Sequence, residues 1–156
     1  MSNPTIRNQF VETLNALLDE TFERVHGIYL DKGTSLFETL EAISAEQASR
    51  PVSARCSSIA GQVAHVRFYL QVLQDYMQRK PIGKIDWQAS WNVQSVTPAE
   101  WDELKGQLRA SYESVRALVR NVEDWAGENE LGGALAIVVH TAYHLGEIRQ
   151  ATCVVA

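Results

Sequence analysis

Apolar positions recur at three- and four-residue steps along almost the whole chain, as expected of helices that each bury one face. Phe10, Leu14, Leu17, Leu18, Phe22 and Val25 form the first such stripe. Pro4 opens it, with Asn3 as cap, and Gly27 closes it. A second long segment covers roughly residues 57–79, capped by Ser57 or Ser58 and stopped by Pro81. The third begins at "TPAEW", where Thr97 caps, Pro98 takes the first helical position and Glu100 completes a capping box. Trp101, Leu104, Leu108, Tyr112, Val115, Leu118 and Val122 then run as one stripe. "GENELGG" reads as a break before a last helix over about 132–153.

Between these segments, "SLFETLEAI" (35–43) pairs Ser35 with Glu38 in a capping-box pattern but is too short for a main helix. "EQASRPVSARC" reads as turn material, and 81–96 as a long irregular stretch carrying Trp87 and Trp91. No segment alternates as a strand does. The pattern predicts an all-α fold, a four-helix bundle with one additional short connecting helix, in a single domain over 1–156.

Composition narrows the partners. A net charge of -5, with no dense run of Lys and Arg beyond the short "MQRKPIGK" (77–84), argues against nucleic acid or an anionic membrane surface. "ALAIVV" (134–139) is too short to span a bilayer, and "MSNPTIRNQF" lacks the form of a signal peptide. Cys56 and Cys153 form no CxxC and read as free thiols, packed at helix ends, in a reducing compartment. A soluble, cytoplasmic protein is expected. "ALAIVV" and the tail "TCVVA" offer more apolar surface than one bundle seam needs, which suggests a homodimer.

The last helix carries the chemistry. In "HTAYHLGEIRQ" (140–150), His140 and His144 lie one turn apart and share a face with Ala136, Ile137, Glu147 and Ile148. Imidazoles turned inward are costly unless something satisfies them. The pair alone fits either half of a metal site or two hydrogen-bonded core histidines. His65, in "SIAGQVAHVRFYL" and flanked by Gly61, Gln62, Phe68, Tyr69 and Val72, adds a third nitrogen from another helix. Three histidines with a coordination position left open suit a catalytic metal, whereas structural zinc sites are usually closed by four protein ligands. His26, beside Gly27 at a helix end, needs no such role. Tyr69, Trp87 and Trp91 are candidates for a substrate pocket, although aromatic residues at helical spacing are more often core. Glu123 and Asp124 read as a solvated helix end. No Ser-His-Asp order, glycine-rich phosphate loop or nucleotide fingerprint is present.

Taken together, the N-terminal amphipathic helix, "SLFETLEAISAEQA", "SSIAGQVAHVRFYL", "DW" at 86–87, "TPAEWDELKGQL" and "VVHTAYHLGEIRQ" resemble the DinB/YfiT-like superfamily of metal-dependent bundles. The resemblance implies that His65, His140 and His144 hold a divalent metal ion, nickel or zinc. It also implies a small-molecule substrate, since relatives with assigned activities include transferases joining a low-molecular-weight thiol to an electrophile, isomerases and hydrolases. The metal would activate a thiol or water, with Glu147 as the proton acceptor. Many relatives have Gln where this chain has Glu147. That carboxylate could be a fourth ligand, a base standing behind His144, or the partner of Arg149 or Arg67, and direct ligation ranks last. A metal-binding, stress-associated module without turnover is the alternative; a purely structural bundle is the third reading.

Overall fold

The apolar stripes fold as long helices. The computed structural model describes residues 4–156, and among them lie four long helices. These are α1 (Pro4–Phe22), α4 (Ile59–Met77), α5 (Pro98–Asn121) and α6 (Glu128–Val155). Two short helices, α2 (Leu36–Glu41) and α3 (Ala45–Ser49), join α1 to α4, and a 3-10 turn at Gln88–Trp91 interrupts the connection from α4 to α5. No strand occurs among the described residues; the one β-bridge joins Pro51 to Ser58. The protein is an all-α bundle.

Helix α4 is central, packing on both α5 and α6, while α1 closes the other side against the same two helices. The core holds Leu14, Leu18 and Phe22 of α1, Ile59, Val63 and Leu70 of α4, Leu108 and Tyr112 of α5, and Ile137, Leu145 and Ile148 of α6. Phe22 and Tyr112 stack at 4.4 Å between ring centres, which fixes the depth of α1 against α5. Among the described residues, no helix is long and apolar enough to cross a membrane.

The caps of the later helices behave as their sequences require. Thr97 Oγ1 accepts from the Glu100 N–H at 3.3 Å, and Glu100 accepts from the Thr97 N–H at 2.7 Å. Ser58 Oγ accepts from the Gly61 N–H at 3.1 Å.

Four expectations need correction. The "EQASR" segment is not all turn: Ser44 and Gln47 cap each other to start α3. "GENELGG" is not a break, because α6 begins at Glu128 with Gly127 as its cap. Gly133 lies within the helix, and a Cβ there would lie 2.6 Å from Met77 Cγ, so the absence of a side chain lets α4 and α6 approach closely at that point. Cys56 and Cys153 are exposed rather than packed.

Finally, α1 ends at Phe22, five residues before Gly27, and Val25 lies beyond it. Its proposed cap, Asn3, lies outside the described residues. Glu20 explains the early end. Its carboxylate, fully buried, accepts from the backbone N–H groups of His26, Ile28, Tyr29 and Leu30 at 2.6–2.9 Å. The chain therefore folds back over the helix end instead of continuing it.

Candidate metal centre

His140, Tyr143, His144 and Glu147 follow one another at helical spacing along one side of α6. Gln62 and His65 lie one turn apart on α4, the helix packed against it. His65, His140 and His144 each offer a ring nitrogen, and these three atoms lie within 4.8 Å of one another. Among the described residues, no further His, Cys, Asp or Glu joins the group. His26 is elsewhere, paired with Asp19.

The hydrogen bonds around the rings decide which nitrogens face the centre. Ser90 Oγ gives its only proton to the Trp87 carbonyl at 2.6 Å. It must therefore accept from His65 Nδ1, 2.7 Å away, which leaves Nε2 of His65 unprotonated. His144 Nδ1 faces Gln62 Oε1 at 2.5 Å and Glu147 Oε2 at 3.0 Å. A carboxylate only accepts, so this nitrogen also carries the proton and frees Nε2. Nε2 of His140 is buried with no hydrogen-bond partner. An orphaned imidazole nitrogen beside two others with free lone pairs is expensive in an ordinary core and fits a cation. The residues present suit a divalent metal ion.

Electrostatics keep the three rings neutral. Burial, followed by the nearness of His144, pushes His65 down to about 4, although Glu147 pulls the other way. Burial, then His144 and His65, pushes His140 down to about 3. His144 is lowered by burial too, with Glu147 opposing. At neutral pH all three nitrogens are thus available as donors.

Aromatic rings hold the cluster in place. Trp91 stacks on His65 at 3.9 Å with 12° between planes, and Tyr69 stacks on His140 at 3.5 Å and 12°. Trp87 is exposed and packs edge-on against Phe68, with Tyr69 at 5.7 Å. A pocket of about 560 Å³ opens onto His144 and Glu147, with Trp91 and Tyr143 in its wall. Tyr69 and Trp87 are not among the residues that line it. The Tyr143 hydroxyl faces the Glu147 carboxylate, whose nearness raises the tyrosine's pKa. Glu147 makes no ion pair with Arg149 or Arg67: Arg149 reaches Thr39 instead, and Nε of Arg67 is buried without a partner.

Two roles in this centre are not apparent from the sequence: that of Ser90, and that of Gln62, which stands out there only as a neighbour of His65. Ser90 is placed by Asp86, whose Oδ1 accepts from the N–H groups of Gln88 and Ala89 at the start of the 3-10 turn. The "DW" pair was the available signal, since an Asp two and three residues ahead of free N–H groups commonly starts a turn. Replacing Ser90 with Ala leaves His65 Nδ1 without its acceptor. The expected result is an ion affinity about 10- to 100-fold weaker, measured by competition with a chromophoric chelator. Unaltered affinity would show that Ser90 does not orient the ring.

A helical bundle with three inward histidines from two helices defines a class of candidate metal-binding bundle proteins. A family model described as the DinB superfamily matches residues 5–148, and the chain belongs to that superfamily. No curated protein and no solved structure matches it.

Proposed function

We propose that this protein is a metal-dependent enzyme in which His65, His140 and His144 hold a divalent ion, nickel or zinc, and the substrate includes a small thiol or water. The observation that carries this reading is the pocket that ends on His144 and Glu147, beside a cluster with three protein donors and, among the described residues, no fourth. A module that only stores metal has no need of that opening. When bound, the ion supplies the acidity that lets a thiol or water lose its proton near neutral pH.

The protein's own groups do the rest. Gln62 and Glu147 keep the proton of His144 on Nδ1. Glu147 is also reachable from the pocket, with 38% of its side chain exposed, and takes the proton that the nucleophile loses.

The test uses protein loaded with zinc or nickel, 2-mercaptoethanol with 1-chloro-2,4-dinitrobenzene for thiol transfer, and p-nitrophenyl acetate for hydrolysis. Glu147→Gln is expected to keep its metal and lose at least about 100-fold in turnover. Full turnover in that variant ends the role assigned to Glu147. Inertness toward both substrate pairs favours the metal-binding module without turnover.

The homodimer reading rests on α6, where Leu131, Leu135, Val139 and Tyr143 step along the exposed side of the helix. A single-chain mass in light scattering would end it. The exposed free thiols of Cys56 and Cys153 support a reducing cytoplasm.

A further inference from the structure

The pocket that reaches His144 contains a positive charge that the metal reading leaves unused. Arg55 lines it, in the turn just ahead of α4. Arg50, Arg79, Arg109 and Arg116 each pair with a carboxylate. The guanidinium of Arg55 pairs with none among the described residues; only its backbone N–H is engaged, by Ser53 Oγ at 3.2 Å. Glu147, the one carboxylate in the pocket wall, lies against His144 and makes no ion pair with Arg55.

A second observation points to the same place. Ser57 Oγ also belongs to this wall and is buried without a hydrogen-bond partner. Its position is imposed by close packing: a Cβ on Gly61 would lie 2.1 Å from that oxygen and 2.8 Å from the Val93 carbonyl. The same wall thus holds a buried hydroxyl with no partner and an exposed guanidinium with no carboxylate, and an acceptor would complete both. The planar fork of arginine matches the two oxygens of a carboxylate.

Net charge agrees. With neutral imidazoles, a divalent ion, Glu147 and Arg55 together leave the pocket positive, so an anion is drawn in and a cation repelled. A volume of about 560 Å³ has room for a small organic molecule that spans from Arg55 to the histidines.

We propose that Arg55 and Ser57 receive the carboxylate of an organic anion whose other end reaches the three-histidine centre. This rests on the metal reading above and adds the charge of the substrate to it.

The full chain, zinc-loaded and metal-free, is titrated with 3-mercaptopropionate and with its neutral analogue 3-mercaptopropionamide. The resonances of Arg55 Nε–Hε and of the Ser57 amide are followed by NMR, and zinc content is measured separately. In the zinc-loaded protein the acid is expected to bind about tenfold more tightly than the amide. Arg55→Ala and Arg55→Gln remove that preference while changing affinity for the amide by no more than about twofold, and Arg55→Lys keeps part of it. Equal affinities in the unaltered protein, or a preference that survives Arg55→Ala, overturn the proposal. Failure to take up either zinc or nickel ends the metal reading by itself; a carboxylate-specific shift of Arg55 in that protein still supports the anion site. Zinc uptake without discrimination ends the anion site alone.

Discussion

Replacing any one of His65, His140 or His144 with alanine is expected to strip the protein of its ion. Purified without a tag or added metal, the unaltered protein should carry about one divalent ion per chain, and each variant less than about a tenth of that. His26→Ala should be indistinguishable from the unaltered protein, because its ring pairs with Asp19, away from the cluster. The effect is large because each ligand is one of only three within 4.8 Å, and no neighbouring donor among the described residues can replace it. The helices should survive the change. His140 is only partly buried, and circular dichroism of His140→Ala should match the parent. Elemental analysis of the four variants side by side is the deciding measurement. Metal retained in two of the three ligand variants, or a parent that is metal-free and indifferent to added divalent ions, would end the metal reading.

The second large effect lies far from the histidines, at Glu20. Burial works to raise its pKa, but four backbone N–H groups more than offset that and bring it down from 4.5 to about 2. A carboxyl group with a depressed folded-state pKa stabilises the protein fully above its unfolded value. That contribution is lost as pH falls from 4.5 towards 2. Glu20→Gln should therefore cost on the order of 2–3 kcal/mol at neutral pH, read from urea unfolding. The variant should also show a flatter loss of stability across the same acid window. A variant as stable as its parent, with the same acid profile, would mean that the loop over the end of α1 is held by something else.

Much of this was legible in the chain. The stripes of α1, α4 and α5 are long and regular, and α4 and α5 open on good caps, so their existence follows from periodicity and capping chemistry. The three histidines could be grouped because two share a helical face and the third lies mid-way along another long helix. What escaped notice depends on partners distant in sequence. Ser90 acts on His65 and Gln62 on His144, 25 and 82 positions away, and nothing local in either residue announces that. Glu20 reads as one more polar residue on α1 until the chain returns to wrap it. Helix α3 has Ala48 as its only buried residue, so it offers no periodic stripe. Gly133 looks like a helix breaker in one dimension and is a contact surface in three, because Met77 occupies the space a side chain would need.

The indole of Trp91 lies flat against the imidazole of His65, closer than any other ring in the cluster apart from the Tyr69–His140 stack. That contact makes the tryptophan an internal optical probe. An open-shell ion such as Ni(II) held by that imidazole would drain the excited state of the indole and darken its emission. Zn(II), with its filled d shell, would leave the emission bright. Fluorescence before and after chelation would therefore tell a filled-shell ion from an open-shell one at this site.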